Sequence, residues 1–479
     1  MCSPKNVWKR CELTMKWKTS VPLMKFINTL LVVIPFIAVW FIYYEPISVS
    51  THSKQVTALL LSVYTVVFYY FAKRMDGYNV AEERIGGMIF GQIIGLGVAN
   101  VSAVVMIWMV SIHFPNLWPG ILCTVVQIAI IAIVCLCNHA FFFKTHPPKK
   151  AIVVYEEREG LEELVHAYGM EKRFQVLHVY HIQEVKTHLI KLAEAETVFM
   201  SGVHSKDRNV LLKYCVDNGI TALMIPRVGD VLMNGATQKH LFHLPFIQAK
   251  RYKPSTIYKI AKRATDLILS GVALVILSPV FLITAIMVKS DGGPAFYKQV
   301  RLTKDGKQFK ILKFRSMRVD AEKFSGAVLS AGENDPRITK VGHIIRACRL
   351  DELPQLINIF KGEMSFVGPR PERPEIAAQY EKVLPEFRLR LQCKAGLTGY
   401  AQVYGKYNTE PYDKLLMDLI YIAHPSILED ISIAMATLKI LFSKESTEGV
   451  GENSTAMKQE ENTSSSVSCT QNTERERKL

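Results

Sequence analysis

Four long apolar stretches in the first 147 residues constrain the fold of this chain more than any other feature. They run approximately over residues 22–44, 56–72, 85–112 and 117–143. Each is close to the roughly 20 residues that an α-helix needs to cross a bilayer, and the second is the shortest. The sequence therefore predicts a membrane protein whose N-terminal region, residues 1–147, contains four transmembrane helices. The five glycines of the third stretch favour a close contact between helices.

Basic residues predict the orientation of these helices. Lysine and arginine cluster before the first stretch, between the second and third, and after the fourth, whereas the other two connections hold only Lys54. The positive-inside rule then places both the N-terminus and the exit of the bundle in the cytoplasm. The net charge of +15 suits an anionic membrane surface. The sequence has no zinc-finger spacing and no RNA-binding aromatic signature, so we expect no nucleic-acid partner.

Residues 148–250 alternate between apolar strand patterns and helical patterns. Strands are predicted near residues 151–157, 175–182, 197–202 and 222–226, with a helix near 160–168. This alternation is typical of a parallel sheet, so we predict a Rossmann-like α/β domain. The first strand is not followed by the G-x-G-x-x-G cluster of dinucleotide sites. A regulatory or assembly role is therefore favoured over that of a nucleotide-cofactor oxidoreductase.

A further apolar run, residues 267–288, is interrupted at Ser278-Pro279. Proline breaks a helix, and basic residues lie at both ends of the run, at Lys262, Arg263 and Lys289. Two cytoplasmic ends favour a re-entrant hairpin that enters one leaflet. A kinked fifth crossing is the alternative.

Residues 346–371 hold the main candidate site. The adjacent acids Asp351-Glu352 open a run with helical apolar spacing, and Pro354 is expected in the first turn of that helix, with Asp351 near its N-cap. Arg346 precedes the pair, and Arg370 follows it in a proline-flanked turn. Carboxylates beside guanidiniums suggest chemistry on a phosphate with a divalent metal. The alternative is a helix cap with a solvated arginine surface.

A β-hairpin is predicted just upstream. Its strands, near residues 295–301 and 308–316, flank the turn signal Lys304-Asp305-Gly306. Lys313 and Arg315 lie at the end of the second strand and would suit a diphosphate. Farther along, Gly396–Gly399 fits either a backbone approach to substrate or a tight turn, a helix is expected over 427–442, and the polar tail 446–479 is expected to be disordered.

Several motifs occur together in a characteristic order between about residues 262 and 450: KRATD, AFYKQVR, FKILKFRSM, NDPRITKVG, LDELPQL, KGEMSFVGPRP and GLTGYAQVYGKYNT. This set resembles the bacterial sugar transferases, which are polyprenyl-phosphate phosphoglycosyl transferases. The chain is similar to the large form that initiates exopolysaccharide or capsule synthesis. The resemblance implies an α+β catalytic domain over 255–445, with residues 267–288 as a re-entrant membrane hairpin. One departure is Thr303, which stands where the family often has glycine.

The resemblance also implies an activity. A sugar-1-phosphate would pass from a UDP-sugar to undecaprenyl phosphate through an aspartyl-phosphosugar intermediate on Asp351, with release of UMP. Glu352 and Asp351 would hold Mg²⁺, while Lys313, Arg315, Arg346 and Arg370 would bind phosphate. The enzyme would reside in the bacterial cytoplasmic membrane, in contact with lipids and with its catalytic domain on the cytoplasmic face. A homodimer is compatible with the sequence, and the alternative function is a non-catalytic scaffold for polysaccharide export.

Overall fold

The computed structural model of this protein describes residues 4–47, 53–111, 113–319, 337–405 and 410–441. The chain divides into two compact units, Met1–Ile225 and Pro226–Val450. The first unit contains long apolar helices followed by a parallel sheet, and the second is a mixed α/β body. The predicted tail, residues 446–479, lies outside the described residues.

Four long helices form the first part of the first unit, as the apolar stretches predicted. Their large exposed apolar side chains, for example Leu59 and Met109, are what a lipid-facing surface requires. Among the described residues, four helical segments are long and apolar enough to cross a membrane, or up to five if one bent pair is counted as a span. The helices are α1 (Pro4–Val39, continued by a π-helical turn Trp40–Tyr44 and a 3-10 turn Glu45–Ile47), α2 (Ser53–Arg74), α3 (Ile85–Val110) and α4 (Trp118–Thr145).

Glycines bring α2 and α3 together, as predicted for the third stretch. A Cβ atom on Gly91 would lie 2.3 Å from the carbonyl oxygen of Met75, and one on Gly95 would lie 2.7 Å from the amide nitrogen of Ala72. Both distances are far below van der Waals contact, so only glycine permits this approach.

A four-stranded parallel sheet with the strand order β2-β1-β3-β4 completes the first unit. Its central strand β1 is buried along most of its length, as expected where helices cover both faces of a parallel sheet. The predicted alternation of strands and helices is confirmed. The elements are β1 (Lys149–Tyr155), α5 (Leu161–Ala167), β2 (Phe174–His181), α6 (Ile182–Lys186), a 3-10 turn (Leu189–Glu194), β3 (Thr197–Ser201), α7 (Ser205–Asp217) and β4 (Thr221–Met224).

The second unit begins with a short helix, a two-stranded hairpin and a bent helix pair. The bend is 64° and falls at the predicted Ser278-Pro279 break, where proline at the second position of the new helix cannot continue the old one. The bent pair fits a broken span or a re-entrant loop. These elements are α8 (Val228–Asn234), β5 (Thr237–Leu241), β6 (Leu244–Gln248), α9 (Thr256–Ile276) and α10 (Ser278–Ser290).

The rest of the second unit packs short helices around small strand pairs. The predicted hairpin is present, with Asp305 and Gly306 at positive φ in its turn. The helix predicted over 427–442 is also confirmed. The elements are β7 (Phe296–Leu302), β8 (Gln308–Phe314), α11 (Lys340–Ala347), α12 (Gln355–Lys361), β9 (Ser365–Val367), α13 (Pro374–Val383), a 3-10 segment (Pro385–Gln392), β10 (Gly396–Thr398), α14 (Tyr400–Tyr404), α15 (Pro411–Ala423) and α16 (Ile427–Leu441).

Candidate active site

The acid pair lies in a 3-10 turn, Leu350–Glu352, between α11 and α12. The expectation that Asp351 lies at a helix N-cap is wrong, because α12 begins at Gln355 and Pro354 occupies its N-cap position. The physical reason is the residue before the turn. Arg349 has a φ of 54°, a left-handed conformation that non-glycine residues rarely adopt and that ends α11. A strained residue beside two acids is typical of a functional site.

Glu352 is held by two cations from separate elements. Lys313, near the end of β8, donates from Nζ to Glu352 Oε1 at 2.8 Å, and an Arg370 guanidinium nitrogen lies 3.3 Å from the same oxygen. Arg370 comes three residues after β9. The Lys313 and Glu352 side chains are mostly buried, at 21% and 16% exposure, whereas that of Arg370 is 46% exposed. The structure thus brings two of the predicted cations, Lys313 and Arg370, to the carboxylate of Glu352.

Charge keeps Glu352 ionised. Burial alone would raise its pKa, but Lys313 and Arg370 outweigh burial and lower the pKa far below the usual range for a glutamate. Glu352 in turn raises the pKa of Arg370. The two cations therefore favour the ionised form of Glu352.

The environment of Asp351 shifts its pKa in the opposite direction from that of Glu352. Burial raises its pKa, the neighbouring Glu352 raises it further, and Lys313, Arg346 and Arg349 oppose the rise. Within the described ranges, no hydrogen bond and no ion pair within 4.0 Å engages its carboxylate. Two adjacent acids with pKa values displaced in opposite directions form the pattern of a reactive group beside a fixed charge.

The remaining two predicted phosphate ligands differ in placement. Arg346 lies in the last turn of α11, near enough to Asp351 to lower its pKa. Arg315 is 6% exposed, and its guanidinium donates to the carbonyl oxygens of Val288 at 2.9 Å and Pro294 at 3.0 Å. These bonds tie the end of α10 to the start of the hairpin. The guanidinium donors of Arg315 are thus engaged by backbone carbonyl oxygens, and the structure does not bring this side chain to the acid pair.

A buried network behind Arg370 was not found from the sequence. Arg390 donates to the carbonyl oxygen of Arg370 at 2.9 Å, and it pairs with Asp418 through Nε at 2.9 Å and a terminal nitrogen at 2.7 Å. Asp418 lies among Leu415 and Leu419 on the buried face of α15. In the sequence, Asp418 stands alone among apolar residues on one face of the predicted helix. Because a buried charge requires a partner, this pattern could have indicated a buried ion pair.

Three glycines form the junction next to Arg370. A Cβ on Gly368 would lie 2.3 Å from the carbonyl oxygen of Lys394, and Cβ atoms on Gly396 and Gly399 would each meet the Gly368 backbone at 2.2 Å. Strands β9 and β10 pair in parallel at this point. The Gly396–Gly399 segment therefore packs backbone against backbone and positions the turn that carries Arg370.

The KRATD motif connects α9 to the segment that follows the acids. Arg263 donates to the carbonyl oxygens of Ile359 and Phe360, both at 2.8 Å, at the C-terminal end of α12. Asp266 Oδ1 accepts hydrogen bonds from Ser365 Oγ at 3.1 Å and from the Phe366 amide at 3.0 Å. The motif therefore has a structural role, which the sequence alone did not indicate.

The donor set fits a metal ion that is shared with a substrate. Among the described residues, no group of three or more His, Cys, Asp or Glu side chains could hold a metal alone. Mg²⁺ is typically bound by one or two carboxylates together with waters and substrate phosphates. Asp351 and Glu352 could supply two such carboxylates, and one Glu352 oxygen is already paired with Lys313 and Arg370.

These features define a membrane-associated protein with an acid pair inside a cluster of cations, suited to phosphate chemistry. The chain belongs to the bacterial sugar transferase family, whose model matches residues 257–444. An exopolysaccharide production protein of Rhizobium leguminosarum bv. phaseoli is 40% identical over 37% of this chain and 94% of its own length.

Two further relatives show how far the similarity extends. The UDP-glucose:undecaprenyl-phosphate glucose-1-phosphate transferase of Escherichia coli is 36% identical over 48% of this chain and 50% of its own length. The UDP-galactose-lipid carrier transferase of Erwinia amylovora is 27% identical over 82% of this chain and 88% of its own length. The chain thus spans about half the length of several curated relatives that it matches.

Proposed function

We propose that this protein transfers a sugar-1-phosphate from a UDP-sugar to a polyprenyl phosphate, undecaprenyl phosphate in the simplest case. UMP and a polyprenyl diphosphate sugar are the products, and the reaction opens the synthesis of an exopolysaccharide, capsule or O-antigen. The observation that carries the proposal is the Asp351 carboxylate, which has no partner among the described residues, beside a Glu352 held ionised by Lys313 and Arg370. The names of the relatives from Escherichia coli and Erwinia amylovora support it.

Asp351 is the nucleophile in this proposal. Its carboxylate oxygen attacks the sugar-bearing phosphorus, the bond from that phosphorus to the bridging oxygen breaks, and UMP leaves with the electron pair. An oxygen of the polyprenyl phosphate then attacks the same phosphorus and releases the Asp351 carboxylate. The raised pKa makes this carboxylate, once ionised, more basic and so a better nucleophile than that of an exposed aspartate.

The cations neutralise the phosphates. Arg370, the more exposed partner of Glu352, would donate to a phosphate oxygen, and Lys313 keeps Glu352 charged and oriented. Arg346 supplies further positive potential on the Asp351 side. Asp351 and Glu352 would hold Mg²⁺, which when bound offsets phosphate charge. Arg315 is left out of this set because its donors are used by backbone carbonyls.

The membrane arrangement is part of the proposal. Lys262 and Arg263 in α9 and Lys289 in α10 lie at the two ends of the apolar run 267–288, and the positive-inside rule then favours a re-entrant hairpin with both ends in the cytoplasm. The catalytic domain would thus lie on the cytoplasmic face of the bacterial inner membrane, where nucleotide sugars occur. We also propose the four-part division at residues 147, 250 and 445, with a Rossmann-like second domain; dimerisation stays a prediction.

The test is a transfer assay with radiolabelled UDP-sugars, undecaprenyl phosphate and Mg²⁺, read by lipid extraction and by UMP release. We expect one or a few UDP-sugars to label the lipid, and Asp351→Asn to abolish both labelling and UMP release. Near-normal transfer by Asp351→Asn would refute the nucleophile. Absence of label with every UDP-sugar and of UMP release would instead favour the scaffold alternative.

A matched variant separates catalysis from folding. Asp207, in α7 of the other compact unit, pairs with Lys186 at 2.8 Å and lies outside the proposed site. Asp207→Asn makes the same chemical change as Asp351→Asn, so it should leave transfer close to the parent value. Equal loss in both variants would mean that the assay reports general instability.

A further inference from the structure

The turn that carries Arg370 has few backbone donors of its own. Arg370 lies between Pro369 and Pro371, and the ring of a proline fixes φ but removes the backbone N–H. The carbonyl oxygens are therefore the main groups by which the rest of the protein can hold this turn. Whatever donates to those oxygens fixes the direction in which the Arg370 side chain leaves the backbone.

Four consecutive carbonyl oxygens of this turn, in residues 369–372, each accept a hydrogen bond. Backbone amides supply the two outer donors, and two arginine side chains supply the inner ones. The turn thus depends on side chains at the two positions next to the Arg370 side chain. The pairs are the Gly396 amide with Pro369 at 2.9 Å, Arg390 with Arg370 at 2.9 Å, Arg301 with Pro371 at 3.2 Å, and the Leu302 amide with Glu372 at 3.0 Å.

Glu372 holds both arginines in place. Its two carboxylate oxygens lie 3.9 Å from an Arg301 nitrogen and 3.6 Å from an Arg390 nitrogen, and the three side chains are at most 19% exposed. A second nitrogen of Arg301 donates to Gln299 Oε1 at 2.8 Å. Burial lowers the pKa of Arg301 to about 10, and Glu372 opposes that fall. Arg301 therefore stays charged near neutral pH, with its donors directed at protein oxygens.

The hairpin β7–β8 connects this turn to Glu352. Arg301 lies in β7, opposite Phe309 of β8. Farther along β8, Lys313 donates to Glu352 Oε1 at 2.8 Å, the same oxygen that lies 3.3 Å from Arg370. One strand of the hairpin thus holds the backbone next to Arg370, and the other strand holds the carboxylate that Arg370 contacts. The hairpin sets the distance between the two.

We propose that Arg301 is a positioning residue for phosphate binding, which fixes the turn 369–372 from β7 and acts on the substrate only through Arg370. Its own guanidinium is engaged by Pro371, Gln299 and Glu372, whereas the Arg370 side chain is 46% exposed. The inference rests on the proposed transfer reaction, and it adds a residue that does not itself touch the substrate.

A double-mutant cycle between Arg301 and Arg370 tests the proposal. Arg301→Met removes the guanidinium with little change in side-chain length and should slow transfer about fivefold. In an Arg370→Met background the same replacement should change the residual rate less than about twofold, because the group that Arg301 positions is gone. Tm should fall equally in both backgrounds. A fivefold loss in both backgrounds, or full activity of Arg301→Met, would refute the proposal.

Two further variants serve as controls. Arg251→Met makes the same chemical change in the same compact unit, at a side chain that is 63% exposed and paired with Asp305, so transfer should equal that of the parent. An equal loss in Arg251→Met would overturn the assignment to Arg301. If Arg301→Met does not fold, Arg301→Lys, which keeps the charge but loses the guanidinium geometry, takes its place in the cycle.

Equilibrium binding of UMP, measured by calorimetry, repeats the cycle without turnover. Arg301→Met should weaken UMP binding in the parent background and leave it unchanged in the Arg370→Met background. A parent that binds UMP but transfers nothing would refute the proposed reaction, while the cycle could still be evaluated from the affinities. A parent that transfers normally without any dependence on Arg301 would refute the positioning role alone, and a parent that neither binds UMP nor transfers would refute both.

Discussion

The buried pair Arg390–Asp418 supports the candidate site from behind, and breaking it should cost stability. Arg390 is 4% exposed and Asp418 is 1% exposed, and two guanidinium nitrogens contact one carboxylate oxygen. Burial raises the pKa of Asp418, and Arg390 opposes that rise. Replacing Arg390 by methionine keeps much of the side-chain volume but leaves the carboxylate buried without its cation.

The expected loss of stability in Arg390→Met follows from the burial of the pair. Removing one partner of a buried ion pair costs about 3–5 kcal/mol, because the remaining charge is uncompensated. For a unit of this size, each kcal/mol lowers Tm by about 2–4 °C, so Arg390→Met should unfold about 6–20 °C below the parent. Replacing both residues, as Arg390→Met with Asp418→Leu, removes the uncompensated Asp418 charge. Glu372, which is 3.6 Å from Arg390, keeps Arg301 at 3.9 Å, so stability should recover to within about 1 kcal/mol of the parent.

Activity should not recover with stability. Both variants lose the Arg390 hydrogen bond to the carbonyl oxygen of Arg370, which has a net value of about 0.5–1.5 kcal/mol. If that bond positions Arg370, the double variant should transfer sugar-phosphate about two- to tenfold more slowly than the parent. Thermal unfolding in detergent and initial rates at saturating UDP-sugar measure the two effects. A double variant as unstable as the single one, or a stable one with full activity, would refute the reasoning.

Three further predictions concern the site itself. As pH falls, transfer should be lost when Asp351, whose pKa is raised, becomes protonated, and Glu352, whose pKa is lowered, should add no second acidic limb to the pH–rate profile. Because Glu352 raises the pKa of Asp351, Glu352→Gln should move the acidic limb of the residual activity to lower pH. An unmoved limb would argue against electrostatic coupling between the two acids. Arg370→Lys keeps the charge but loses the guanidinium geometry, so initial rates should fall about tenfold, whereas an unchanged rate would exclude a role in phosphate binding. Gly368→Ala should lower both Tm and activity, because its Cβ would lie 2.3 Å from a carbonyl oxygen, while Gly229→Ala, with open space around it, should change neither; equal effects would discount the close approach.

The predictable parts of the fold are those that depend on patterns among neighbouring residues. The four apolar stretches, the strand alternation after Lys149 and the hairpin turn at Asp305 each depend on neighbouring residues, and the structure has them where the patterns placed them. The bend at Pro279 follows from the ring of proline, which excludes the helical hydrogen bond.

The misplaced features depend on distant contacts or on unusual backbone. The N-cap expected at Asp351 is absent because Arg349 adopts a left-handed conformation, which nothing in its own side chain requires. Arg315 has the same residue type and strand position as a phosphate ligand would, yet carbonyl oxygens 21 and 27 residues away along the chain take its donors. Arg390 meets Asp418 across 28 residues, a distance over which no periodicity applies.

The bent apolar helix α9 contacts the segments on both sides of the candidate site. Arg263 holds the end of α12, the helix that directly follows the acid turn, and Asp266 holds the start of β9, the strand that leads to Arg370. Beyond these two residues α9 continues with exposed apolar side chains such as Ile268 and Val275. A single helix therefore fixes both the acids and their arginine relative to its own apolar end. If that end enters a leaflet, the depth of α9 would set the height of Asp351 above the lipid, and the proposed transfer from a water-soluble nucleotide sugar to a lipid phosphate would depend on that height.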